Sequence, residues 1–288
     1  MIITSMKSRK YSRVFLHIIF AFFPMFLLPL LLQAQEDNPL NFTDMFKRLG
    51  FEVGFTSAWQ SGEYVVGCGT FERGANLNFL IAAAYDQQIS KIFQFEGLIG
   101  YQSKNIKSSY IREESIGIST ESGPVNAGVS FDNIGQATFS YIFAQPSLKF
   151  YPFNSLYVGG GVSANLLLGS TLQYQKDIVS RTIKLNELGL SEVFYSESES
   201  SDPYSKVFAE ESNENASGVL LDAVMMVGAE FRVGKTYTNP INPNPRKKIT
   251  IGPRIQYALP LISAMSDGEH ELKLNGLQFL VGMRYEIN

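Results

Sequence analysis

A chain of 288 residues with 45% hydrophobic side chains, 13% aromatic side chains and a formal charge of −3 can form a large core or membrane surface, and excludes a strongly basic nucleic-acid face. Its single cysteine, Cys68, cannot form an internal disulfide.

The chain opens with Lys7, Arg9, Lys10 and Arg13, and no acidic residue occurs among the first 34 positions. Val14 to Leu32 is apolar almost throughout, and Leu32-Gln33-Ala34 offers a small-residue cleavage site. This pattern predicts a secretory signal peptide over residues 1–34, then a short periplasmic segment over 35–48. A retained membrane anchor is the alternative, weakened by Pro24 and Pro29 within the apolar run. Loss of the four leader cations takes the formal charge from −3 to −7. Cys68 lies too far downstream to accept a lipid anchor.

Alternating apolar and polar residues then recur in chain order, as expected for strands with two unlike faces. Gly50–Trp59 sets Phe51, Val53, Phe55 and Trp59 against Glu52, Gly54, Thr56 and Ala58. Asn76–Asp86 sets Leu77, Phe79, Ile81, Ala83 and Tyr85 against Asn76, Asn78 and Asp86. Lys91–Gln102 sets Phe93, Phe95, Ile99 and Tyr101 against Gln94, Glu96 and Gln102. Phe139–Leu168 reads as a hairpin about Pro152-Phe153-Asn154. Its first strand sets Ile142, Ala144, Pro146, Leu148 and Phe150 against Tyr141, Phe143, Gln145, Ser147 and Lys149. Gly159-Gly160-Gly161 lies within the second strand with no following helix, so it reads as close packing or curvature and not as a phosphate loop.

Val219–Val233 sets Val219, Leu221, Ala223, Met225, Val227, Ala229 and Phe231 against Asp222, Glu230 and Arg232. Ile249–Leu259 sets Ile249, Ile251, Ile255, Tyr257 and Leu259 against Thr250, Arg254 and Gln256. Leu277–Tyr285 sets Leu277, Phe279, Val281, Met283 and Tyr285 against Gln278, Arg284 and Glu286. The connections alternate in length. Gln87–Ser90, Tyr151–Ser155 and Gly234–Lys248 are the even ones; Gln60–Ala75, Ser103–Asn133, Ser170–Ser217 and Ser263–Glu271 are the odd ones. Short turns on one side and long loops on the other, the Pro/Asn-rich 234–248 turn excepted, predict an all-β, eight-stranded antiparallel up-and-down transmembrane barrel over residues 49–288. Its long outer loops are 103–133 and 170–217. Aromatic residues near strand ends, among them Trp59, Tyr85, Tyr101, Tyr257 and Tyr285, favour this over a soluble β-sandwich.

The strand order, the hairpin FSYIFAQPSLKFYPF–SLYVGGGVSANLLL and the last strand GLQFLVGMRYEIN resemble the small outer-membrane β-barrel proteins of the Bacteroidota lineage. That group includes PorT-like proteins and shares the OmpA/OmpX-type architecture. The resemblance implies the cell outer membrane, recognition of a terminal aromatic by the barrel-insertion machinery, and a secretion accessory role as one specialised form. Here the aromatic is displaced to Tyr285, ahead of Glu286-Ile287-Asn288.

An eight-stranded barrel is just wide enough for its own side chains to fill. The expected interior charges are Glu52, Glu96, Lys149, Asp222, Glu230, Arg232, Arg254, Arg284 and Glu286. Their near balance of sign reads as a structural plug, with an ion pathway as the alternative. The pattern assigns no catalytic residue, cofactor or metal site. After the leader only His270 remains of the histidines; it lies in a loop with Glu269, Glu271, Ser263 and Ser266, so a surface lipid- or peptide-modifying hydrolase is a minor alternative. The 170–217 loop carries nine acids against four bases, with apolar residues spaced regularly over Ile178–Tyr195. It could extend a hairpin above the membrane. The expected role is therefore non-enzymatic: a scaffold, accessory subunit or surface-interaction protein meeting an envelope protein or lipopolysaccharide through its outer loops, with a narrow channel as runner-up and no nucleic acid among its partners.

Overall fold

The computed structural model describes residues 46–66, 69–90, 92–120, 123–153, 155–185, 189–193, 202–233, 249–266 and 269–287. The expected signal peptide and periplasmic segment up to residue 45, Cys68 and the 234–248 connection lie outside the described residues.

Eight strands close into a ring: β1 (Lys47–Gly62), β2 (Ala75–Gln88), β3 (Phe93–Ser103), β4 (Gly123–Phe150), β5 (Leu156–Ile178), β6 (Val219–Ala229), β7 (Ile249–Pro260) and β8 (Glu271–Ile287). Each pairs antiparallel with its sequence neighbours, and β8 returns to pair with β1, Leu49 opposite Tyr285 and Phe55 opposite Phe279. Closure leaves no unpaired ring edge, which is what lets strands cross a lipid layer where backbone polar groups have no water partner.

Alternation sorts the faces in an inverted order. Leu49, Phe51, Val53 and Phe55 on β1, Leu77, Phe79 and Ile81 on β2, and Phe279, Val281, Met283 and Tyr285 on β8 point outward and are exposed. Glu52, Thr56, Asn78, Asp86, Glu96, Gln102, Gln145, Lys149, Gln256 and Gln278 point inward and are buried. An apolar band encircling a polar interior would be a patch far beyond what a water-soluble surface carries, and it is the lipid-facing belt of a membrane barrel. A soluble sandwich would bury the opposite face. Trp59 stacks on Tyr257 at 5.9 Å and Phe79 packs on Tyr101 at 5.4 Å, towards one rim; Phe93 meets Phe150 at 5.4 Å towards the other.

Three sequence expectations change. Segments 103–133 and 170–217 are not loops for most of their described length. Ile106–Thr120 pairs with Gly123–Ala137 of β4, β5 runs on to Ile178, Thr182–Leu185 pairs with Gly189–Glu192, and Ser205–Ser212 pairs with β5. Ile106–Thr120, β4, β5 and Ser205–Ser212 thus form a four-stranded sheet standing above the ring, with a small core of Val129, Phe131 and Ile178. Beyond the lipid belt only that small core needs an apolar face, so alternation is partial: Ala127, Val129 and Phe131 keep it on β4, while Ile106–Thr120 carries polar residues on both faces.

The second change is at Val219–Val233, which breaks at Glu230: Phe231–Val233 is a separate short strand, Ala229 is buried where alternation puts it outward, and Arg232 is only half-buried. The Glu230 amide still donates to the Ser155 carbonyl in step with the Ala229–Leu156 pairing, and the register with β7 is the same on both sides of the break, so Glu230 keeps its inward place. The third change is at Gln60–Ala75, expected as an open loop. It contains a hairpin, Tyr64–Val66 with Gly69–Phe71, begun at Gly62 whose φ of 86° lies in the left-handed region.

Candidate functional site

The interior is layered. Nearest the short turns lies a charged floor in which each cation touches two or more anions. Arg254 contacts Glu52 at 2.5 Å and also Glu96; Arg284 contacts Glu52 at 2.5 Å, Glu96 at 3.1 Å and Asp86 at 3.4 Å. Lys149 reaches Glu96 at 2.5 Å, Glu230 at 3.1 Å and Asp86 at 3.9 Å. Arg48 bridges Glu230 at 2.7 Å and Asp86 at 3.3 Å. Four cations meet four anions from β1, β2, β3, β4, β7, β8 and the break after β6, so the charges cancel locally. Desolvating these ions is costly, and shared contacts across the ring offset that cost. Beneath the floor, Phe46 lies under the Arg48 guanidinium at 4.6 Å and the Arg232 guanidinium at 5.7 Å.

Above the floor is a belt of amides. Gln256 donates to Gln145 at 2.9 Å and to Gln278 at 2.7 Å; Gln278 donates to Gln102 at 3.4 Å, and Gln102 donates to Asn165. Asn165 in turn donates to Asp222 at 3.0 Å, whose carboxylate also holds Lys104 at 2.5 Å. This chain of contacts runs from wall to wall.

The upper mouth is apolar. Tyr64, Val66 and Phe71 of the hairpin fold inward and are buried against Ile106, Phe139, Tyr141, Leu172, Tyr174, Leu220, Met265, Leu272 and Leu274. Tyr64 stacks on Phe71 at 5.4 Å, and Phe71 also meets Tyr110 at 5.5 Å. Gly135 makes the seat: a Cβ there would stand 2.6 Å from Phe71 ring carbons. Gln60 anchors the hairpin by donating to the Gly62 and Phe71 carbonyls at 3.0 and 2.8 Å. Burial pushes the Tyr64 phenol up to about 12.

Of the expected interior charges, the structure joins Glu52, Glu96, Lys149, Glu230, Arg254 and Arg284 in the floor and places Asp222 in the layer above. Arg232 instead lies over Phe46 at the edge, and Glu286 is buried near the end of β8. Sequence reasoning missed three members. Arg48 fell in the segment read as periplasmic, although its place four residues before Glu52 on a period-two face could have exposed it. Asp86 was on the polar face but left out of the charge set, and Lys104 fell in a segment read as loop. Gly159 and Gly161 lie within β5, where a Cβ would meet the Leu148 carbonyl at 2.8 Å and the Ser147 hydroxyl at 2.5 Å respectively, so both permit close strand packing. His270 lies 3.6 Å from Glu63, far along the chain from the floor. No group of three metal-ligating side chains occurs among the described residues.

No protein-family model and no curated protein sequence matches this chain. Among solved structures, similarity is found to Ail, the attachment invasion locus protein of Yersinia pestis, at 10% identity and a TM-score of 0.29, covering 84% of this chain and 99% of Ail. Neisserial surface protein A is similar at 9% identity and a TM-score of 0.31 over 83% of this chain and 97% of its own. The outer membrane protease OmpT of Escherichia coli is similar at 10% and 0.31 over 86% of this chain and 99% of its own. Likeness at this level assigns no role; the barrel rests on the closed ring and its outward apolar belt.

Proposed function

We propose that this chain is exported by its leader and inserted in a bacterial outer membrane as a filled, non-enzymatic barrel that presents the four-stranded sheet above the ring to partners at the cell surface. The observation that carries this reading is the wall-to-wall bridging of the interior: the floor and the amide belt tie opposite strands together where a channel needs open water. With transport unsupported, the ordered sheet is the part of the molecule shaped for contact, and long outer extensions are where barrels carry recognition. A scaffold or accessory subunit, including the secretion-related form that a PorT-like resemblance implies, uses such a platform.

Planar-bilayer recording of the refolded protein tests the filled barrel: the expected result is no stable unitary conductance, and steady open-channel current sinks the reading in favour of a narrow pore. Crosslinked pulldown from intact outer membranes, comparing the full chain with one lacking residues 186–214, tests the platform. Identical co-purifying partners and envelope behaviour in both would refute contact through that segment.

A further inference from the structure

The sheet above the ring carries one face that continues the lipid-facing side of β4 and, past a bulge at the exposed Leu168, that of β5, and its chemistry changes abruptly. On β4 the outward series Leu148, Pro146, Ala144 and Ile142 passes directly into Ser140, Thr138 and Gln136. On β5, the register shift opposite Ser140/Tyr141 brings Thr171 opposite Thr138 and Gln173 opposite Gln136. The rows extend to the neighbouring strands, where Lys107 faces Gln136 on one side and Glu210 faces Gln173 on the other. The centre of this face is therefore neutral amide and hydroxyl, with one charge at each edge.

Gln136, Thr138, Thr171 and Gln173 make no side-chain hydrogen bond with any other described residue, and none is fully buried. Each amide offers both donor and acceptor, and each hydroxyl does the same. Amides and hydroxyls at strand spacing, about 4.8 Å apart across the sheet, match the alternating donors and acceptors of neighbouring sugar hydroxyls. From Ser140 to Ser130 the strand climbs roughly 25 Å above the belt, at about 3.3 Å per residue and a tilt of about 40°.

We infer that this face docks the core oligosaccharide of the outer-leaflet glycolipid, with Gln136, Thr138, Thr171 and Gln173 as the contacting residues. The inference rests on the outer-membrane reading above. Continuity decides the occupant: in an outer leaflet the phosphorylated disaccharide of lipid A stands directly above the acyl chains, at the level of Ser140 next to Ile142, and the core sugars stand above it, against Thr138 and Gln136. Asp132 and Asp177, directly opposite each other higher on the same face, disfavour phosphate there and favour neutral sugar.

The test uses the mature full chain folded in nanodiscs made either with core-bearing lipopolysaccharide or with lipid A alone, with retained glycolipid quantified by mass spectrometry after detergent washing. The wild-type chain is expected to retain the core-bearing form about tenfold better than lipid A, and a Q136A/T138A/Q173A variant to retain both alike. A second variant, Gln173→Glu, keeps side-chain size while placing a carboxylate beside Glu210, and is expected to lose the preference too. Equal retention of both glycolipids by the wild type, or an undiminished preference in both variants, overturns the inference. Failure of the wild-type chain to give a heat-modifiable band in lipid A discs would instead refute the outer-membrane barrel itself.

Discussion

The two ends of the barrel fill the same narrow lumen with opposite chemistry, and the difference lies in how their parts are connected. The floor draws Arg48, Glu52, Asp86, Glu96, Lys149, Arg254 and Arg284 from six different strands, each ion shared between partners. The cap draws Tyr64, Val66 and Phe71 from one hairpin laid onto the wall. Removing a floor member strands charge that other strands supply, so the damage is global. Removing a cap member frees a local segment whose backbone pairs only with itself over those residues, so the damage stays local.

The largest expected effect is therefore in the floor. Arg254→Met leaves Glu52 and Glu96 with one cation fewer in a buried site, and breaking a buried ionic contact costs on the order of 3–5 kcal/mol. The urea midpoint of the refolded barrel, followed by the fluorescence of Trp59 at the rim, should fall accordingly. An unchanged midpoint would show that water or protons already compensate those carboxylates.

Phe71→Ala should cost roughly 3 kcal/mol of local packing, yet leave the Trp59 midpoint nearly unmoved. The readout is limited proteolysis within 63–73, faster in the variant. Gly135→Ala should imitate it, because the added methyl takes the space of the Phe71 ring. If Phe71→Ala instead lowers the global midpoint as far as Arg254→Met does, the cap is part of the cooperative unit and the contrast between the two ends fails.

Much of this was legible in the sequence. All eight spanning strands showed in the period-two runs because each must present apolar residues to lipid on alternate positions, and Glu52, Glu96, Arg254 and Arg284 stood on the opposite face for the same reason. The cap was illegible: Tyr64 and Phe71 belong to strands of three residues, too short for a periodicity, and their burial depends on a glycine more than sixty residues away. Lys104 was missed on similar grounds, since only the curl of the chain after Ser103 turns it inward onto Asp222. The upper sheet was legible only in part: the regular apolar spacing over Ile178–Tyr195 allowed a hairpin extension, but Ile106–Thr120, with polar residues on both faces, read as loop.

The Lys104–Asp222 pair, between floor and cap, refines the contrast. It is isolated from the floor network, so Lys104→Met should cost on the order of 3 kcal/mol by stranding Asp222, the low end for a buried pair because Asn165 still donates to that carboxylate, and the double change with Asp222→Asn should recover most of that loss. The measurement is a double-mutant cycle on the urea midpoint. A double variant no more stable than Lys104→Met alone would show that Asn165 and the amide belt depend on the carboxylate for alignment.

The smallest expected effect is confined to the hairpin and to alkaline solution. Burial raises the Tyr64 phenol from 10.0 to about 12 because the interior disfavours phenolate. Below pH 10 the phenol is neutral in both closed and open hairpins, and its contribution to closure is fully present. As pH rises from 10 towards 12 the open form ionises first, proton binding favours the closed form less and less, and closure weakens. Proteolysis within 63–73 should therefore accelerate across that window in the wild-type protein. Tyr64→Phe, which keeps the ring against Phe71 but cannot ionise, should show a flatter profile. The same acceleration in Tyr64→Phe would assign the alkaline opening to another group and leave the cap held by packing alone.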